Sequence, residues 1–274
     1  MKVDLHIHTN ASDGRWAPER LITEVLKTGI RVFSITDHDT VKNINPVQKL
    51  AADADIRFIP GVEISATLDG ELFHILGYGI NPANPGLQDI LTYNIGLMNK
   101  NDDDSIRRLI ERGYAIDYSA YLSYEDDSAR GGWKALNFLM DIGLCTGMED
   151  FFRGLFSDEP VPFPVFPHPQ KIISAIAGAG GIPVLAHPGG SVNSTSRIEK
   201  VLATFLELGI QGIESFHPEH DLQKTKICLD WSARNNLQIT GGSDCHGGFI
   251  RTRRLGSPEI MLKQLKLKKL EDYI

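Results

Sequence analysis

Short apolar, β-branched runs alternate along this chain with stretches whose apolar residues recur at helical spacing. The runs predict strands near 2–8, 30–36, 56–65, 71–79, 182–186, 210–215 and 237–242. The periodic stretches predict helices over 17–28, 41–54, 169–179, 194–208 and 222–236. Such alternation belongs to α/β folds built on mainly parallel sheets. Asp69-Gly70 interrupts it, because that dipeptide between two strand-like runs signals a tight hairpin and an antiparallel pair. Residues of about 85–165 read differently, being polar and helical, with acidic 101–104, tyrosine-rich 114–124 and a proline-rich exit at 160–169. The pattern predicts a main domain from 1–84 and 165–274, with 85–164 as a helical insertion capping one end of the sheet or barrel. Residues 261–274 predict a terminal helix with a solvated lysine face.

What the apolar runs carry at their ends changes the picture. Six of the nine histidines (His6, His8, His38, His74, His187 and His246) and the carboxylates Asp13, Glu63 and Asp244 lie there. Alternate strand side chains share a face, so His6 and His8 reach one ion together, with Leu5 and Ile7 on the other side. Asp244 and His246 repeat the spacing, with Cys245 between them as a small packing residue. Glu63 sits deep in an apolar segment, where a carboxylate is paired or on a metal. Taken singly, Asp13 also reads as a turn or cap residue, Asp37 and Asp39 as a turn pair around His38, and His74 as a core histidine. Together, imidazoles and carboxylates form a ligand set for divalent first-row metals. Convergence of independent strand ends favours a catalytic site over a structural zinc site, which closes with four Cys/His ligands from short loops.

Composition bounds the reading. At 42% hydrophobic residues the chain can bury a sizeable core. Its formal charge of −7 argues against a surface for long nucleic acid, although bound ions are outside that sum. The start, MKVDLHIH, has no signal-peptide or membrane-spanning pattern. Three widely spaced cysteines make no disulfide framework, so a reducing cytoplasm is the expected compartment.

The motifs DLHIHTNASDG, ITDHDT, GVEIS, FHILGY, LAHPGG, IESFHPEH and ITGGSDCHG, in that order, resemble the PHP (polymerase and histidinol phosphatase) family, most closely its stand-alone metal-dependent phosphoesterases. The resemblance implies a distorted (β/α)7 barrel and two to three divalent ions (Mn, Fe or Zn). It divides the ligands into three sub-sites: His6, His8, Glu63 and Asp244; Asp13, His38 and His246; and His74 and His187 with Glu63 bridging. It also implies that His220 touches phosphate or backs the ligands, with His217 a neutral neighbour. Relatives often carry Arg-x-His where this chain reads Arg130-Gly-Gly-Trp-Lys134. Arg130 remains a candidate phosphate clamp, because guanidinium matches phosphate bidentately, and Lys134 is a further candidate contact. Trp133 either stacks on a substrate ring or is buried in the cap, and His168 is a loop residue.

Three carboxylates against two or three divalent ions leave a positive site that suits a phosphate dianion better than a neutral amide. Bound metal can bring the pKa of water to roughly 7, giving a hydroxide nucleophile without a covalent enzyme intermediate. The expected activity is phosphomonoester hydrolysis on small molecules or nucleotides, such as nucleoside 3′,5′-bisphosphates. The alternatives are a 5′-3′ exonuclease on short 5′-phosphorylated RNA, a histidinol-phosphate phosphatase, C–N bond hydrolysis and a non-enzymatic metal-stabilised module. No membrane and no obligate protein partner are expected.

Overall fold

A computed structural model of the chain describes residues 1–161, 163–190 and 194–274. Position 162, in the proline-rich exit, lies outside the described residues. The first half runs β1 (Lys2–Asp4), α1 (Pro18–Thr28), β2 (Ile30–Ile35), α2 (Ile44–Asp53), β3 (Arg57–Leu68), β4 (Glu71–Tyr78) and α3 (Pro85–Glu111). Then come α4 (Tyr118–Ser123), α5 (Lys134–Asp141), α6 (Met148–Asp150), α7 (Pro169–Gly178), β5 (Ile182–Leu185) and α8 (Thr195–Glu207). The chain ends with β6 (Gly212–Phe216), α9 (Leu222–Arg234), β7 (Gln238–Gly241) and β8 (Ile260–Met261). Local chemistry sets the boundaries. Pro18 opens α1, and Gly29 at φ 72 closes it by returning its N–H to the last carbonyls. Ser194 and Asp221 cap α8 and α9 by accepting the N–H groups of Arg197 and Lys224.

The eight strands form one sheet in the order β7-β6-β5-β4-β3-β2-β1-β8. β4 is antiparallel to both neighbours, and Leu68 pairs with Glu71 across a two-residue loop. Asp69 at φ 51 and Gly70 at φ 80 supply the left-handed pair that such a loop requires. The sheet curls until the chain beyond β1 meets the chain beyond β7, through Leu5 N–H to Gly241 O (3.1 Å) and His8 N–H to Cys245 O (2.9 Å). The result is a nearly closed α/β barrel.

Two apolar layers hold it. The outer face of the sheet buries Phe33, Val62, Ile75 and Ile213 against Leu21, Val25, Val47 and Phe205 of the helices. The interior is filled by Val3, Leu5, Val32, Ile59, Leu76, Tyr78 and Val184 and closed below by Leu267 and Leu270. Each such buried side chain contributes roughly 1.5–3 kcal/mol. That plug corrects the expected terminal helix: residues 261–274 form two short 3-10 turns, Leu262–Gln264 and Lys268–Tyr273. Between them Lys266 exchanges backbone bonds with Ile239 at 3.0 and 3.1 Å, which helical geometry forbids. Strict alternation along β1 also fails, since Leu5 faces inward and Ile7 outward. The strand ends at Asp4, whose carboxylate takes the N–H groups of His6 (3.3 Å) and Ser243 (2.9 Å) and turns the chain there.

The 27-residue α3 serves two cores. Leu87, Ile90 and Leu91 pack on the barrel, whereas Ile106 and Leu109 join a separate cluster with Tyr121, Leu136, Phe138, Phe151 and Phe156. Asp102 on α3 accepts the Ala135 N–H at the start of α5 (3.3 Å). Burial pushes the Asp102 carboxyl up to about 7 from 3.8. The folded pKa is raised, so no cost exists while the group is neutral in both states. The cost develops as pH rises past 3.8 and is complete above about 7. Asp102→Asn is therefore expected to stabilise the protein at pH 8 by on the order of 1–2 kcal/mol, discounted for partial exposure, with little change near pH 4. Denaturant titrations at the two pH values check this; equal shifts at both would sink the burial explanation.

Candidate metal centre

One end of the barrel collects the side chains singled out above. His6 and His8 lie just beyond β1, and His38 lies beyond β2. Glu63 is mid-β3, His187 follows β5, and Asp244 and His246 follow β7. β4 runs the other way, so His74 in its first half arrives at the same end. In register His74 stands opposite Ser65, while Glu63 stands opposite Leu76. The diagonal on the interior face still brings His74 Nδ1 to 3.1 Å from Glu63 Oε1. Asp39 at φ 52, His187 at φ 26 and Asp244 at φ 51 hold left-handed backbone, each costing on the order of 1–3 kcal/mol, as strained functional sites do.

Glu63 is the hub, its side chain 1% exposed. Oε2 faces His6 Nε2 (3.0 Å), His8 Nε2 (3.2 Å) and His38 Nδ1 (3.4 Å). Oε1 faces His74 Nδ1 (3.1 Å) and His187 Nε2 (3.0 Å). Three donor groups result, each with its ligand atoms within 4.8 Å of one another: His6, His8, Glu63 and Asp244; His8, Asp13, His38 and His246; and His38, Glu63 and His74. Two of them hold the first and second sets expected from sequence, with His8 also reaching the second. In the third, His38 stands beside Glu63 and His74, while His187 reaches the same Glu63 oxygen as His74.

Several of these atoms are buried without a hydrogen-bond partner: His8 Nδ1, Asp13 Oδ1 and Asp244 Oδ1. His8 Nε2 lies 2.9 Å from Asp244 Oδ1 but without hydrogen-bond alignment. His6 Nε2 and His8 Nε2 face each other at 3.2 Å. Buried polar atoms are normally satisfied, so this convergence of lone pairs fits divalent cations. The electrostatics agree. Burial disfavours charge on Glu63, but His6, His38 and His74 outweigh it and hold the carboxyl well below the usual range. Burial likewise opposes ionised Asp13, yet His246 and His38 hold its carboxyl low. Burial keeps His38 and His246 below the ordinary imidazole value, whereas Glu63 and Glu214 outweigh burial at His6 and hold a proton there that a metal would displace.

A second layer orients the first. Glu214 in β6 is fully buried, pairs with His6 Nδ1 (2.9 Å) and accepts the His187 N–H (2.8 Å). It was missed from sequence, although a glutamate inside the apolar run GIESF carries the same signal as Glu63. Asp37 takes the Thr9 N–H, the Thr9 hydroxyl and the Ser12 hydroxyl, each at 2.7 Å, which holds the Asp13 loop. Asp39 binds Ser65 and Asn94, tying α3 to the two ligand-bearing strands. His217 is at the centre, its Nε2 3.3 Å from Asp244 Oδ2, and burial lowers its pKa to about 3.

Each of the expected substrate contacts has protein partners of its own. His220 has both ring nitrogens engaged: Nδ1 with Ser215 O (3.0 Å) and Nε2 with the Gly189 N–H (3.0 Å). It fixes the turn after His187. Arg130 Nη1 is bound to both Asp141 oxygens (2.7 and 2.8 Å) and to the Tyr124 hydroxyl (3.1 Å). Lys134 points into the insertion, to Leu122 O (3.2 Å) and over the Tyr121 ring. At Gly132, where relatives carry the histidine, φ is 77 and a side chain would crowd the Phe249 ring and Leu136, while its N–H donates to Asp13 O (2.8 Å). Trp133 packs between Phe151, Phe152 and Phe249, and His168 caps α7. Cys245 is buried in the outer core, its thiol pushed up to about 11.

Residues 4–128 match the PHP domain family. The match ends inside the insertion, so it is this segment that is similar to a PHP domain. It is 27% identical to the phosphoribosyl 1,2-cyclic phosphate 1,2-diphosphodiesterase of Eggerthella lenta, over 92% of this chain and 97% of that one. It is equally similar, at 27%, to the 3′,5′-nucleoside bisphosphate phosphatase of Chromobacterium violaceum (94% and 91% covered). The 5′-3′ exoribonuclease of Escherichia coli is also 27% identical (89% and 84% covered). Among solved structures, a Chromobacterium violaceum amidohydrolase with bound sulfate and no metal matches with TM-score 0.77 at 27% identity, covering 90% of this chain and 88% of that one. Among the described residues no helix is long and apolar enough to cross a membrane.

Proposed function

We propose that this protein is a PHP-type, metal-dependent phosphoesterase acting on small phosphorylated substrates, with nucleotide phosphates such as nucleoside 3′,5′-bisphosphates foremost. The observation that carries the reading is the set of three adjoining donor groups, two of which share Glu63 while the other joins them through His8 and His38. Divalent ions there would acidify an attacking water and neutralise the phosphoryl oxygens. The ligands would be His6, His8, Asp13, His38, Glu63, His74, His187, Asp244 and His246. Glu63 fixes the imidazoles relative to one another, Glu214 aims His6, and Asp37 holds the loop that carries Asp13. Burial of His6, His8, Glu63 and Asp244 excludes bulk water there and strengthens their electrostatic contacts. The reaction consumes water, breaks the ester P–O bond and gives an alcohol and inorganic phosphate. Similarity to a bisphosphate phosphatase and an exoribonuclease supports phosphate esters over amides, with the 5′ end of short RNA as the second reading.

Metal analysis followed by a phosphate-release screen tests this. Two or three equivalents of Mn, Fe or Zn, with turnover of nucleotide bisphosphates above other esters, are expected. A fully metallated protein that releases no phosphate from any ester, including 5′-phosphorylated oligoribonucleotides, overturns the proposal in favour of a metal-stabilised module.

A further inference from the structure

We propose that Arg253, on the loop that follows β7, is the arginine that receives the substrate's phosphoryl group. The inference rests on the phosphoesterase reading. Asp244 divides its two oxygens. Oδ1 turns to His8 Nε2 (2.9 Å) and His6 Nε2 (3.4 Å) and has no hydrogen-bond partner, which makes it the ligand oxygen. Oδ2 faces His217 Nε2 and is in close contact with Arg253 Nη1. The guanidinium therefore stands one carboxylate away from the first donor group, beside the place where an ion held there would present a substrate.

Its other terminal nitrogen is held by a solvent-reaching partner. Nη2 donates to Glu219 Oε1 at 2.7 Å, and the Glu219 side chain is 44% exposed. Arg253 itself is 19% exposed, so one edge of the fork reaches solvent at the rim of the site. A partner this exposed contributes little and can be displaced by a dianion. A planar guanidinium offers two parallel N–H groups to two phosphoryl oxygens, which a lysine cannot do. Arg253 binds non-bridging oxygens and makes or breaks no covalent bond. The competing role is structural, with Arg253 only neutralising Asp244 and Glu219.

The test compares metal-loaded wild type with Arg253→Gln and Arg253→Lys by metal content, calorimetric titration with inorganic phosphate and steady-state kinetics on the best ester. The proposal expects both variants to keep their metal. It expects phosphate binding to weaken on the order of 10–100-fold in the glutamine variant and less in the lysine variant. It also expects kcat/KM to fall roughly 10²–10³-fold. Loss of metal with unchanged phosphate affinity per metallated molecule overturns it and assigns the structural role. A wild type that binds no phosphate overturns it too. If the wild type binds phosphate yet hydrolyses no ester, the phosphoesterase reading falls, and the phosphate titration still decides Arg253.

Discussion

Glu63→Gln is expected to leave a folded protein that loses at least one equivalent of metal and at least roughly 10³-fold in turnover. The substitution keeps shape and volume, so the barrel has no packing reason to rearrange. It removes the one negative charge that five imidazoles share, from His6, His8 and His38 on one oxygen to His74 and His187 on the other. The new amide also aims N–H groups at one of those imidazole clusters, and an amide nitrogen is no metal ligand. Two of the three donor groups contain Glu63. The damage therefore extends past one ion, whereas loss of a peripheral ligand such as His74 touches one group. Elemental analysis, circular dichroism and phosphate release read the three parts separately. A variant with full metal content and turnover within tenfold of wild type would remove Glu63 from the centre.

Much of this site was legible because its residues sit at strand ends, where an apolar run makes a polar side chain conspicuous. Glu63 and the His6/His8 pair stand out on that ground, and the Asp69-Gly70 hairpin follows from local turn chemistry alone. Contacts made across the fold were not legible. The roles expected of Arg130 and His220 depend on whether their donors are free, and the groups that occupy them, Asp141 and the Gly189 turn, lie 11 and 31 residues away. Arg253 carries no local pattern, because an arginine in a glycine-rich loop looks the same whether it faces solvent or Asp244. The C-terminal segment misleads for a related reason. Leu262, Leu265 and Leu270 have near-helical spacing, but the barrel's open lower end recruits the backbone of Lys266 as a strand partner.

Glu214→Ala is expected to be the costliest change outside the ligands, about 3–5 kcal/mol, because it leaves His6 buried beside one carboxylate where two had held it. In the metal-free protein burial pulls the His6 pKa down, but Glu63 and Glu214 outweigh it and push it up to about 10. Burial opposes ionised Glu214, but His6 outweighs it and lowers the carboxyl to about 2. The signs set the pH window. His6 has a raised folded pKa, so its contribution is fully present below 6.5 and is lost as pH rises through about 10. Glu214 has a depressed one, so its contribution is present above 4.5 and is lost as pH falls towards 2. The stability gap between metal-free wild type and variant should be widest from about pH 4.5 to 6.5 and should narrow by pH 10, measured by urea denaturation with chelator present. A gap independent of pH would mean that Glu214 acts by filling space and by accepting the His187 N–H. With metal present the same carboxylate orients His6 through Nδ1, and competition against a chelator should show affinity weakened roughly 10–100-fold. Glu214→Gln separates the two effects. It keeps the acceptor for the His187 N–H and removes the charge, so the pH-dependent part should vanish while most of the packing survives.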